Sequence, residues 1–231
     1  AQEQGFLCEV WETPGQPCVY IETPPVEGQP TLLVYGHYDV QPAESPELWR
    51  RPPFEPYVED DRLYGRGANN NKGQIWMHCC ALDWLRRSQA SLPVQVKLLI
   101  EGEEEIGSPS LPALLRTHRQ RLQADFVLVS DTSTVVKGRP TLHYSLRGIV
   151  LFEVELEVAG RDVHSGVLAG TSPNAIHEMS RLIASLHDSE GRVSIPNFYA
   201  GVREIEAWEQ AMLEAIPFDE EAYRDFIGCH Q

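Results

Sequence analysis

The stretch from Leu32 to Val40, LLVYGHYDV, constrains this chain more than any other. An apolar run rich in β-branched and aromatic residues reads as a fully buried strand, and it breaks at Gly36 to deliver His37 and then Asp39 at its carboxyl end. In open parallel α/β sheets that end is where ligands bind. One imidazole and one carboxylate leaving a buried strand together suit a metal ligand and the acid that orients it. Taken alone, the stretch also reads as a strand ending in ordinary polar turn residues; the segments around it change that balance.

Residues 1–30 carry five prolines and short β-capable runs such as Cys18 to Glu22, which predicts a strand pair and connectors. A proline-rich irregular loop is expected from Gln41 to Asp61. The block LYGRGANNNKGQ, Leu63 to Gln74, combines glycines for tight turns with an Asn run that precedes a helix. From Lys72 to Arg87, Ile75, Cys79, Leu82 and Leu85 recur at helical spacing. Val94 to Ile100 reads as a second buried strand ending in EGEEEIGS, Leu111 to Leu122 as a helix, and Phe126 to Ser130 as a third strand ending in Asp131. The carboxylates bunched after Ile100 would repel one another unless a cation sits among them or the loop is fully solvated.

Alternating strands and helices predict an α/β fold, a mainly parallel sheet with flanking helices. Three strand ends would then bring His37 with Asp39, Glu104 with Glu105, and Asp131 to one edge. The pattern changes near Arg147. From Val150 to Val158 apolar and polar residues alternate, as in an antiparallel strand with one solvated face. Ser172 and Pro173 look like the start of a helix whose buried stripe is Ile176, Met179, Ile183 and Leu186. A further helix is expected over Glu204 to Ile216. The expected division is thus 1–146 and 147–231, the second part a smaller α+β domain.

The formal charge of -15 argues against nucleic acid or an anionic membrane surface as partner, since both select basic patches. No apolar run is long enough to span a bilayer. The five cysteines show no CxxC spacing, and the adjacent Cys79 and Cys80 suit a reduced, cytoplasmic setting. GRGANNNKG lacks the GxGxxG order of a dinucleotide-binding turn. One His with several carboxylates at strand ends fits a hydrolytic site using zinc, with manganese or cobalt as alternatives; an all-oxygen magnesium or calcium site would not need the His. If two metals share the site, one carboxylate must bridge them and another must stay free as general base.

Six blocks, GHYDVQP (36–42), WRRPPFEP (49–56), LYGRGANNNKGQ (63–74), EGEEEIGS (101–108), VLVSDT (127–132) and DVHSG (162–166), resemble in order those of the co-catalytic zinc metallopeptidases. That family includes carnosine dipeptidase, acetylornithine deacetylase, succinyl-diaminopimelate desuccinylase and bacterial carboxypeptidase G, and GHYDVQP resembles its dipeptidase branch. The resemblance implies a two-zinc site that hydrolyses the amide bond of dipeptides or N-acyl amino acids, and a homodimer formed through a lid domain. It implies His37 and Asp131 as ligands of one metal, Glu105 as ligand of the other, Asp39 as the acid orienting His37, and Glu104 as general base. His164 resembles the lid-domain histidine that polarises the scissile carbonyl, often in the partner subunit's site.

The chain departs from the family in three respects. Asn70 stands where the family has the aspartate that bridges both metals, and a neutral amide should bridge two dications poorly. The family's last metal-ligating histidine comes from a carboxyl-terminal segment that these residues do not include. Little precedes GHYDVQP, where the family usually has a helix. The resemblance therefore implies a partial chain, and Asn70 leaves open an inactivated or non-catalytic relative.

Overall fold

The computed structural model describes residues 5–88, 92–132, 134, 138–168 and 170–228. The chain forms two compact units, Ala1–Ser133 and Thr134–Gln231, so the division falls ahead of the boundary expected near 147.

In the first unit β1 (Leu7–Trp11), β2 (Cys18–Glu22), β3 (Thr31–His37), β6 (Gln95–Glu101) and β7 (Phe126–Val129) form one sheet in the order β1-β2-β6-β3-β7. β3 lies between β6 and β7 and runs parallel to both, while β2 pairs antiparallel with β6 and with β1. The expected strand pair before residue 30 thus extends a parallel centre. Parallel neighbours end on the same edge, and His37 sits in register with Glu101.

The central strands β3 and β6 are buried on both faces, which is why they read as unbroken apolar runs, whereas β7, expected to be buried, leaves Phe126, Val127 and Val129 exposed. Successive residues of each strand serve opposite faces. Leu33 and Leu99 join Trp11, Tyr20, Leu114 and Leu122 in one cluster, with α2 (Leu111–Thr117) packed there. Val34 and Leu98 join Leu82 and Val96 in the other, against Cys79 and Leu85 of α1 (Gly73–Ser88). Leu98 and Leu99 are each about 2 % exposed or less, and burying such a side chain contributes about 2 kcal/mol. Lys97 is also buried, and its ammonium donates to the carbonyls of Arg121 and Gln123.

α2 is shorter than expected. It ends at Thr117, and His118 stacks flat on Trp11 at 3.7 Å, so packing diverts the chain before Leu122. A hairpin of β4 (Tyr57–Glu59) and β5 (Arg62–Tyr64) closes the loop expected to be irregular. Its turn residues Asp60 and Asp61 have φ of 49° and 57°, the left-handed backbone that two-residue hairpin turns demand.

The second unit holds α3 (Ser165–Leu168), α4 (Ala175–Ser185), α5 (Ala207–Glu214) and α6 (Glu220–Ile227). The strand expected over Val150 to Val158 does not form among the described residues, and Val150, Leu151, Phe152 and Val154 are exposed. Alternation assigns residues to faces, but a strand exists only where a neighbouring backbone takes up its N–H and C=O groups. The helix expected to open at Ser172 opens later. Asn174 is its N-cap, accepting the N–H groups of Ile176 and His177, and Pro173 stays outside. Its expected buried stripe is also open at Ile176 and Ile183, since no sheet forms in this unit among the described residues to cover it. The helix expected over Glu204 to Ile216 is trimmed to α5, where Glu206 and Glu209 close a capping box.

Candidate metal centre

Four segments of the first unit meet at the carboxyl edge of the parallel strands. β3 supplies His37, fully buried, and Asp39 just beyond it. The short helical turn Glu104–Ile106 follows β6, and Asp131 follows β7. Asn70 and Asn71 belong to the wide turn Ala68–Lys72 that leads into α1. Asn70 there is non-helical, at φ -130° and ψ 103°, so consecutive Asn side chains diverge.

Asp39 ties two of these segments together. One oxygen pairs with His37 Nδ1 at 3.1 Å, and the other accepts the Glu105 N–H at 2.9 Å. With Nδ1 so held, Nε2 faces the open site. It lies 2.9 Å from Asn70 Oδ1, 3.7 Å from Asp131 Oδ2 and 3.9 Å from Glu104 Oε2. Glu105 accepts from Asn70 Nδ2 at 3.2 Å and from Gln41 Nε2 at 2.8 Å. A 250 Å³ cavity lined by Gln41, Trp49, Arg66, Asn70 and Glu105 adjoins the cluster.

Close backbone approach makes this possible at Gly36. A Cβ there would lie 2.8 Å from Ile75 Cγ1 and 2.9 Å from Asn71 Oδ1, distances that admit only glycine without rearrangement.

The electrostatics follow from one imidazole among several carboxylates. Burial works to lower the His37 pKa, but the bonds to Asn70 and Asp39 and the charges of Asp131 and Glu104 outweigh it and raise the value. Burial raises Glu104, as do the nearby charges of Asp131, Glu105 and Asp39, against the opposing effect of His37. Such a cluster favours a cation at its centre.

The structure brings His37, Asp39, Asn70, Glu104, Glu105 and Asp131 to one site. Ligand atoms of His37, Glu104 and Glu105 all lie within 4.8 Å of one another. His164 belongs to the second unit, where it is exposed just before α3 and its Nδ1 accepts the Gly166 N–H at 3.0 Å. Sequence reasoning overlooked Gln41 and Asn71. Gln41 lies inside the GHYDVQP block and was legible as a polar residue one loop from the strand end; Asn71 was hidden in a run of three identical residues.

The donors fit one divalent cation held by His37 Nε2 and a carboxylate oxygen of Asp131, with Glu104 close by and free to act as base. A second cation beside Glu105 fits poorly. The Asn70 amide lies between His37 Nε2 and Glu105 with one carbonyl oxygen and no charge, so it lacks the second lone-pair donor that a ligand bridging two cations needs.

The chain belongs to peptidase family M20/M25/M40, which residues 33–218 match. It is 35 % identical over 199 residues to the Beta-Ala-His dipeptidase of Mus musculus, covering 85 % of this chain and 40 % of that protein. It is 35 % identical over 201 residues to the Cysteinylglycine-S-conjugate dipeptidase of Corynebacterium striatum, covering 87 % of this chain and 42 % of that one. The M20 family metallo-carboxypeptidase Sso-CP2 from Sulfolobus solfataricus superposes with a TM-score of 0.79 at 32 % identity, over 100 % of this chain and 52 % of that one. The chain thus spans about two fifths of the length of these curated relatives.

Proposed function

We propose that this chain carries the metal-binding half of a site for metal-dependent hydrolysis of the amide bond in dipeptides or N-acyl amino acids. The observation that carries the reading is the convergence of His37, Glu104, Glu105 and Asp131, from three parallel strand ends, on one edge. His37 and Asp131 would hold a divalent cation, zinc by preference, which would supply Lewis-acid polarisation of the amide carbonyl and lower the pKa of the attacking water. Glu104, the carboxylate with burial and like charge raising its proton affinity, takes the proton of the attacking water and passes it to the leaving amine. Asp39 fixes the His37 ring so that Nε2 keeps its lone pair toward the site. His164 would polarise the scissile carbonyl across a homodimer formed through the second unit. The open apolar face of α4 supports such an interface. The free thiols of Cys18 and Cys79 support a reduced, cytoplasmic setting.

The neutral amide of Asn70 favours a second reading, an inactivated or non-catalytic relative that holds at most one metal tightly. Zinc content by elemental analysis, paired with a dipeptide hydrolysis assay, separates the two. Two zinc ions with turnover support the first reading and sink the second; one zinc or none, without turnover, supports the second and sinks the first.

A further inference from the structure

We propose that Asn71 is a positioning residue: its side chain locks the His37 end of β3 to the carboxylate of Asp131 and sets the distance between them. The inference deepens the metal reading above and rests on it only for its consequence in metal affinity.

The β3–β7 ladder ends at Tyr35 opposite Val129. Continued by two residues, the same register sets His37 opposite Asp131, yet no ladder bond reaches that far. Asn71 fills the gap. It is 1 % exposed, and its Oδ1 accepts the His37 N–H at 3.3 Å. Its Nδ2 donates to the Ser130 carbonyl at 2.8 Å and to Asp131 Oδ1 at 3.0 Å. One amide therefore joins both strand ends with its acceptor and both donors engaged, a satisfied buried polar group that costs little to keep and much to break. With Oδ1 of Asp131 held, Oδ2 is the oxygen left facing His37 Nε2 at 3.7 Å. His78 of α1 adds a second grip on the same strand end through Ser130 Oγ at 2.8 Å.

A merely structural Asn would affect stability alone. A positioning Asn acts through Asp131, so its removal should lose its effect on metal affinity once Asp131 can no longer ligate. The test uses the 231-residue chain and its Asn71→Ala and Asn71→Ser variants. The serine variant decides should the alanine variant fail to fold. Metal-free crystal structures should show the Asp131 carboxylate turned away from His37. Zinc titration calorimetry should show affinity lowered about 10- to 100-fold, with no further loss when Asp131→Asn is combined with the Asn71 variant. An unmoved Asp131, or losses in zinc affinity that simply add in the double variant, would overturn the proposal. If the unsubstituted chain binds no zinc, the metal reading fails, while the position of Asp131 in the metal-free crystals still decides the role of Asn71.

Discussion

Asp39 grips the His37 ring with one oxygen and the Glu105 backbone with the other, so a single carboxylate sets the angle between two strand ends. The consequence is measurable. Asp39→Ala frees the imidazole to rotate and releases the turn carrying Glu104 and Glu105. Zinc affinity should fall about 10- to 100-fold, as is usual when the group behind a ligating His is lost. Isothermal titration with zinc checks this, and an unchanged affinity would remove Asp39 from the role.

Glu104 is assigned to proton transfer, not to holding the cation. Glu104→Gln in a full-length, active protein should keep its metal content and lose turnover about 10²- to 10⁴-fold. Retained turnover would exclude Glu104 as the base.

Asn70→Asp replaces a neutral amide between His37 and Glu105 with a carboxylate. Two cations only a few ångströms apart repel strongly unless a shared anion lies between them. Zinc per chain should rise towards two, and dipeptide hydrolysis in a full-length protein should increase by orders of magnitude. Equal zinc and equal rates in both versions would mean that Asn70 is not the bridging position.

Gly36→Ala forces a methyl into Asn71 and Ile75. Overpacking of this kind costs about 1–3 kcal/mol. Urea unfolding followed by circular dichroism should show the midpoint moved down.

In the second unit, Arg203 clamps the buried Glu209 carboxylate with two hydrogen bonds and lowers its pKa from 4.5 to about 2, aided by the Glu206 N–H and by Tyr144. A group whose pKa falls on folding contributes stability that is fully present above the unfolded value and lost as pH drops through the folded one. Thermal stability from this pair should therefore decline between pH 4.5 and 2. Arg203→Met should be less stable at pH 7, and its deficit should shrink towards pH 2. A deficit that stays constant over that range would separate the effect from the carboxylate.

The strand ends that build the site were legible because β3, β6 and β7 are apolar runs that stop abruptly in polar residues; burial on both faces accounts for β3 and β6, whereas β7 is apolar yet exposed at Phe126, Val127 and Val129. The hairpin at Asp60 and Asp61 was less so, since Asp-Asp is a rarer left-handed turn than Asn-Gly. Val150 to Val158 misled for a different reason. Its alternation is a property of that segment alone, whereas a strand is a property of two. Asn71 could not be told from its neighbours by type; only the break in backbone direction at Asn70 separates the amide that meets the site from the one that joins the strands behind it.

Trp11 lies flat between Tyr20 at 4.3 Å and His118 at 3.7 Å, 6 % exposed, whereas Trp76, Trp84 and Trp208 stand open to water. An indole stacked between two rings and shielded from solvent emits at shorter wavelength and is out of reach of a collisional quencher. In a Trp49→Phe background, which removes the half-buried fifth indole, acrylamide should therefore leave a residual blue-edge fluorescence from Trp11. Loss of that residue of light would report the opening of the first unit by itself, with the second unit silent in the same signal.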